Sequence, residues 1–140
     1  MSASSSAPPK ILVVDDEPDV RKFVKMRLEA AGYEVHLAEN GETALLLTQS
    51  IHPDLILLDI KLPLYDGYEV LRRIRADPEL SHIPIVLATA DASVRIKEGS
   101  RLMDANNYIM KPFDASEMLK VIARELRSRD ADGQPPRPVV

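Results

Sequence analysis

Five polar residues with useful chemistry stand at the ends of apolar runs in this chain. Asp15 and Asp16 follow the run "ILVV", and Asp59 follows "LILL". Thr89 ends the run "IPIVLAT", and Lys111 follows "YIM". A buried apolar run that ends on a charge leaves that charge in a poor environment unless a partner or a reaction requires it there. The residue types therefore point to ion binding or to group transfer.

The residue types fit the chemistry of an aspartyl phosphate. Three neighbouring carboxylates repel one another and raise one another's pKa, and a hard divalent cation such as Mg²⁺, which prefers oxygen ligands, relieves this repulsion. Aspartate acts as a nucleophile toward phosphorus, and phosphoryl transfer needs mainly alignment and charge neutralisation. Lys111 offers a second positive charge, and the hydroxyl of Thr89 can donate to a phosphoryl oxygen.

Each of these residues also has a simpler interpretation when it is taken alone. Asp15 and Asp16 precede a proline and suit a helix cap, and Asp59 by itself is a weak signal. Thr89 could be a solvated residue at the end of a strand, and Lys111 could be a charged residue on the surface. The combination favours a site, because every member comes directly after a predicted strand.

Short apolar runs alternate with helical patterns along the chain. The predicted strands are Ile11–Val14, Glu34–Ala38, Leu55–Leu58, Ile83–Ala88 and Tyr108–Met110. The predicted helices are Pro18–Ala31, Gly41–Ser50, Gly67–Ala76, Ala92–Met103 and Ala115–Arg129. Among these helices Ala92–Met103 has the poorest pattern, because it contains Gly99 and its apolar residues are scattered.

This alternation predicts an α/β fold with a five-stranded parallel sheet and helices on both faces, a flavodoxin-like doubly wound (βα)5 arrangement. In such folds ligands bind at the carboxyl ends of the strands. The five polar residues would then converge on one edge of the sheet.

Composition limits the class of protein. The chain has 140 residues, a net charge of -4 and no cysteine. One domain is expected, without disulfides or thiolate metal sites, and direct nucleic-acid binding is not favoured. No apolar run is long enough for a membrane span, and "MSASSSAPPK" lacks the apolar middle of a signal peptide, so a cytoplasmic location is expected. The composition of residues 1–9 and 130–140 predicts disordered tails, and residues 130–140 could equally be the start of a linker. Residues 10–129 are then expected to form the ordered domain.

The motifs "VVDDEP", "LILLDIKLPLYDG", "LATA" and "YIMKPF" occur in this order. Over about residues 10–129 the chain resembles the receiver domain of bacterial two-component response regulators. The resemblance implies that Asp59 accepts a phosphoryl group from a histidine kinase or a histidine phosphotransfer protein. It further implies that Asp16, Asp59 and the backbone carbonyl of Lys61 ligate Mg²⁺ directly, while Asp15 acts mainly through water.

The same resemblance assigns a switch. Thr89 and Lys111 would bind the phosphoryl oxygens, and the bond before Pro112 would be cis. Thr89 would move toward the phosphoryl group and Tyr108 would turn inward behind it, which would change a partner-binding surface. Tyr108 could also be an ordinary strand-edge aromatic.

Two positions carry expectations about the lifetime of the phosphoryl group. Lys61 lies two residues after the acceptor, and Asp91 lies two residues after Thr89. In the family these positions flank the phosphoryl group, and here their opposite charges could form a pair that screens attacking water. A departure from the family occurs before Tyr108, where Asp104-Ala105 replaces the common Gly-Ala.

Other interpretations remain open at this point. A Mg²⁺-dependent phosphatase would usually have an aspartate where this chain has Lys61. A pseudo-receiver would bind partners without phosphorylation, and a flavin-binding protein of similar topology would need a phosphate-cradling loop after the first strand. The resemblance implies a protein that turns over no external substrate and makes no contact with a membrane. Its output would pass through a partner that the sequence does not identify or through a missing C-terminal output domain. A dimer that depends on phosphorylation would also be compatible with the family.

Overall fold

Five short apolar segments form one parallel sheet. The computed structural model describes residues 7–62, 66–90 and 105–132. The strands are β1 (Lys10–Val14), β2 (Glu34–Ala38), β3 (Leu55–Asp59), β4 (Ile85–Thr89) and β5 (Asn107–Met110). Their order in the sheet is β2-β1-β3-β4-β5, and all neighbouring strands are parallel. The predicted fold class is confirmed.

The sheet is covered on both faces, which explains the continuous apolar runs. Successive strand side chains point to opposite faces. In β1, Leu12 and Val14 pack in one core cluster, while Ile11 and Val13 pack in the other. All five residues of β3 and of β4 are buried, whereas the edge strand β2 is fully buried only at Ala38.

Four helices cover the sheet within the described part of the chain: α1 (Pro18–Ala30), α2 (Gly41–Ile51), α3 (Gly67–Ala76) and α4 (Ala115–Asp132). Apolar residues of α1 and α4 contribute to one core cluster, and those of α2 and α3 contribute to the other. The predicted helix Ala92–Met103 lies outside the described residues. None of the described helices has the length and apolar composition needed to cross a bilayer.

Side-chain caps begin three of the helices. The Oδ1 atoms of Asn40, Asp66 and Asp114 accept hydrogen bonds from the backbone N–H three residues later, at 2.7–2.9 Å. Such caps satisfy backbone donors that the first helical turn leaves without a partner.

Some element boundaries differ from the prediction. The strand predicted from Ile83 begins at Ile85, after Pro84, because proline has no N–H to give to the ladder. Asp59 and Thr89 are the last residues of their strands rather than the first residues beyond them.

Residues near both ends of the described chain contact residues at or next to the start of a strand. In the predicted N-terminal tail, the carbonyl of Pro9 accepts a hydrogen bond from the Glu34 N–H at 2.9 Å. Helix α4 continues to Asp132, three residues past Arg129. Arg129 Nη1 donates to the carbonyl of Asp54 at 3.2 Å and to its Oδ1 at 3.0 Å, so the last turns of α4 are attached to the start of β3.

Gly67 brings the start of α3 against the end of β3. Its N–H donates to the carbonyl of Ile60 at 2.6 Å. A Cβ atom at Gly67 would lie 2.5 Å from the carbonyl oxygen of Asp59 and 2.5 Å from the Cα of Ile60. Because both neighbours are backbone atoms, they cannot move aside as a flexible side chain would.

We expect Gly67→Ala to destabilise the protein by about 2 kcal/mol, since the added methyl group overpacks a rigid contact. It should also shift the amide NMR signals of Asp59 and Ile60. Chemical denaturation and a ¹H–¹⁵N spectrum measure the two effects. Gly32→Ala is the control: Gly32 has φ of 98° and an open surrounding, so this change strains the local backbone without moving the Asp59 and Ile60 signals. Unchanged signals in Gly67→Ala would contradict the contact.

Candidate functional site

The carboxyl ends of four neighbouring strands meet at one edge of the sheet. In the register, Val14 of β1 is opposite Leu58 of β3, and Thr89 of β4 is opposite Met110 of β5. The next residue after β5, Lys111, donates its backbone N–H to the carbonyl of Thr89 at 2.8 Å. The predicted polar residues at these strand ends therefore lie at the same edge of the sheet, as the sequence indicated.

Lys111 is the central cation of this edge. Its Nζ lies 2.6 Å from Asp15 Oδ2 and 3.1 Å from Asp59 Oδ2. Its side chain is 12% exposed, and those of Asp15 and Asp59 are 5% and 7% exposed. Because all three groups are largely removed from water, they interact more strongly than an exposed ion pair would.

Glu17 is a further acid at the site that the sequence analysis missed. Its Oε1 lies 3.4 Å from Lys111 Nζ, and its side chain is 62% exposed. Its only signal in the sequence was its place directly after the two aspartates. An exposed carboxylate at this distance adds little to stability.

The backbone and side chain of Asp15 are fixed from four directions. Its N–H donates to the carbonyl of Ala38 at 3.1 Å, and its carbonyl accepts from Arg21 Nη1 at 2.6 Å. Its Oδ1 accepts the backbone N–H of Glu17 at 2.9 Å, while Oδ2 faces Lys111. The loop after β1 therefore has a defined shape, and Arg21 is a second contributor that the sequence analysis did not identify.

Three carboxylates lie close enough to share an ion. One oxygen each from Asp15, Asp16 and Asp59 can be chosen so that all lie within 4.8 Å of one another. Asp15 and Asp59 are buried, and Asp16 is exposed. Oxygen-only donors of this kind suit a hard divalent cation. The backbone N–H of Lys61 donates to Asp59 Oδ1 at 3.1 Å, which places the Lys61 backbone beside the same carboxylate.

The electrostatics of the site follow from burial and proximity. Burial raises the pKa of Asp59, and the negative charge of Asp15 raises it further, while the hydrogen bond and charge of Lys111 oppose both effects without overcoming them. Burial alone would lower the pKa of Lys111, but its hydrogen bonds to Asp15 and Asp59 outweigh burial and raise that pKa above its ordinary value. Lys111 is therefore charged at neutral pH.

The other predicted site residues lie on the strands nearby. Thr89 is buried at the end of β4, and Tyr108 is half-buried on β5 against the core cluster that contains the α2 and α3 residues. The peptide bond between Lys111 and Pro112 is cis, as predicted. Asp91 and Asp104 lie outside the described residues, so the predicted pair of Lys61 with Asp91 stays a prediction.

A family model described as the response regulator receiver domain matches residues 11–123. The DNA-binding dual master transcriptional regulator RpaA of a Synechocystis strain is 38% identical over 122 residues, which cover 87% of this chain and 51% of RpaA. This chain thus spans about half the length of that relative.

Solved structures show the same likeness. A CheY-like response regulator receiver domain protein from Methanospirillum hungatei superposes with a TM-score of 0.82 at 29% identity, covering 90% of this chain and 99% of that one. The response regulator protein TrrA from Thermotoga maritima, solved in complex with Mg(2+)-BeF, gives a TM-score of 0.75 at 39% identity, covering 84% of this chain and 98% of that one.

The geometry predicts opposite effects of two neighbours on the pKa of Asp59. Lys111→Met should raise this pKa further, because it removes the hydrogen bond and charge that lower it. Asp15→Asn should lower it, because it removes a like charge. A ¹³C carboxyl NMR titration of the metal-free protein measures both shifts. Lys22→Met, which removes an exposed lysine from α1, serves as the control and should leave the titration unchanged. Shifts of the same sign in the two site variants would contradict this account.

Proposed function

Because this chain belongs to the response regulator receiver domain family, we propose that Asp59 is its phosphoryl acceptor and that a histidine kinase or a histidine phosphotransfer protein is the donor. One observation carries the proposal: Lys111 Nζ contacts both Asp15 and Asp59 in a largely buried pocket at the carboxyl edge of the sheet. A lysine in this place can change partners from a carboxylate to an incoming phosphoryl oxygen. Chains of this family serve two-component signal transduction.

The residues present fit a magnesium ion. Asp16 and Asp59 would ligate it directly together with the carbonyl of Lys61, and Asp15 would act mainly through water. The support is the donor chemistry of three carboxylates that can lie within 4.8 Å of one another. When bound, Mg²⁺ supplies positive charge that neutralises phosphoryl oxygens and helps to align the group. Exposed Asp16 leaves the cluster open to solvent on one side, which allows entry of an ion.

The chemical step is a displacement at phosphorus. A carboxylate oxygen of Asp59 forms a bond to phosphorus, the P–N bond to the donor histidine breaks, and its electron pair returns to the imidazole nitrogen. Lys111 and the hydroxyl of Thr89 donate hydrogen bonds to the phosphoryl oxygens. Deactivation is a separate hydrolysis: water attacks phosphorus, the P–O bond to Asp59 breaks, and inorganic phosphate leaves while the Asp59 carboxylate forms again. No turnover of an external substrate is part of this proposal.

The phosphoryl group would act as a switch because it replaces the single negative charge of the Asp59 carboxylate with roughly -1.5 to -2 units of charge and supplies new acceptor oxygens. Thr89 moves toward it and Tyr108 turns inward, which changes the partner-binding surface that includes β5 and α4. An output partner, a C-terminal output domain or a second phosphorylated copy would recognise this surface. We further propose that residues 10–129 form the receiver domain and that tails or a linker flank it. A cytoplasmic location also remains a prediction.

Beryllofluoride, a mimic of the phosphoryl group, tests the proposal. Amide NMR spectra are recorded with Mg²⁺ alone and then with beryllofluoride added. We expect Mg²⁺ to shift the signals of Asp16 and Asp59, and beryllofluoride to shift Thr89 and Tyr108. Asp59→Asn is the control and should lose the second response while it keeps the fold. If wild type responds to neither ligand, the chain is a binding module without an active switch.

The lifetime prediction is tested separately. Lys61→Ala and Asp91→Ala should each change the decay rate of phosphorylated Asp59, since both residues are expected at the mouth of the site where water enters. Decay is followed by phosphate release after labelling with phosphoramidate. Lys120→Ala removes an exposed lysine from α4 and serves as the control. Unchanged decay in both site variants would remove these residues from the mechanism.

A further inference from the structure

The side chain of Arg21, in the first turns of α1, extends toward the loop that precedes the helix. Its Nη1 donates to the backbone carbonyl of Asp15 at 2.6 Å, and the side chain is only 17% exposed. Its Nη2 lies 3.9 Å from Oε1 of Glu39, which is 69% exposed. The long, exposed contact to Glu39 contributes little, so the bond to the carbonyl is the main polar contact of this guanidinium.

The carbonyl that Arg21 contacts belongs to the peptide between the two aspartates. A peptide unit is planar, so the direction of the Asp15 carbonyl also sets the position of the N and Cα atoms of Asp16. Asp15 is fixed further by Ala38, Glu17 and Lys111. Asp16 is exposed, and burial therefore does not orient it.

We propose that Arg21 is a positioning residue for Asp16: its guanidinium fixes the Asp15–Asp16 peptide and so directs the Asp16 carboxylate toward the cluster with Asp15 and Asp59 before an ion binds. This inference rests on the proposed metal site. Arg21 contacts no ion and no phosphoryl group itself. It acts through one backbone carbonyl, as groups outside a metal's own ligands commonly do.

A purely structural role makes a different prediction. If Arg21 only stabilised the start of α1, its loss would lower thermal stability and leave the orientation of Asp16 in the folded protein unchanged. A positioning role alters Asp16 in the folded protein. The two roles therefore separate in measurements made well below the unfolding temperature.

The test compares Arg21→Met with Arg21→Lys. Methionine keeps much of the apolar stem and removes the donors, while lysine keeps the charge and one donor group without the rigid fork of arginine. We expect Arg21→Met to bind Mg²⁺ about tenfold more weakly in an NMR titration, the lower end of the effect of outer-shell changes. Arg21→Lys should recover part of this loss. Lys22→Ala and Glu39→Gln are matched controls from the same helix and the same contact, and both should bind Mg²⁺ as wild type does.

A second measurement needs no metal. In the metal-free protein, ¹⁵N relaxation and amide exchange should show a more mobile Asp16 in Arg21→Met than in wild type, with the core amides of β1 unchanged. The inference is wrong if the folded variant keeps wild-type Asp16 dynamics, or if wild type binds Mg²⁺ and Arg21→Met binds it equally well. If wild type itself does not bind Mg²⁺, the proposed function fails, and the metal-free relaxation data still decide the role of Arg21. Should Arg21→Met not fold, the same comparison with Arg21→Lys decides it.

Discussion

The interaction on which the site depends is the contact of one lysine with two buried carboxylates. Asp15 and Asp59 are both largely buried. Two buried negative charges without a positive partner would destabilise the folded protein by several kcal/mol. Lys111 lies 2.6 Å from one and 3.1 Å from the other, which offsets much of that cost. The pKa of Asp59 is nevertheless raised, so the compensation by Lys111 is incomplete. The site therefore retains an attraction for further positive charge, which a divalent cation can satisfy.

The strand order makes this contact possible. β1 and β3 are neighbours, so Asp15 and Asp59 leave adjacent strands at the same edge. β5 is separated from β3 by β4, and Lys111 therefore has to reach across the end of β4. The bond from its backbone N–H to the carbonyl of Thr89 fixes the starting point of that reach. β4 ends at Thr89, so this residue lies on the strand between the two strands that lead to Asp59 and Lys111.

The sequence predicted what local patterns determine, and it missed what distant contacts determine. Apolar runs located the strands, and a polar group at each strand end located Asp59 and Lys111. The last three residues of α4 were missed because the composition of the segment from Asp130 on, rich in Pro and Asp, predicts a disordered tail. The contact of Arg129 with Asp54 was missed because it joins residues 75 positions apart. Arg21 and Glu17 were missed for a related reason: an arginine or glutamate early in a helix is ordinary, and only the folded loop shows that each contacts a site residue.

The resting contacts of Lys111 have a consequence for any switch at this site. A lysine that already contacts two carboxylates can contact a new anion only by giving up part of those contacts, so the gain is a difference between two strong interactions. A phosphoryl group on Asp59 would remove one of its present partners and supply more acceptor oxygens at nearly the same place. The Lys111 side chain would thus need only a short movement, and its backbone, directly after β5, would stay as it is. The larger rearrangement would involve Thr89 and Tyr108, which lie on neighbouring strands. Both are uncharged side chains that are buried or packed against a core cluster. A packed core changes between discrete arrangements rather than by gradual deformation.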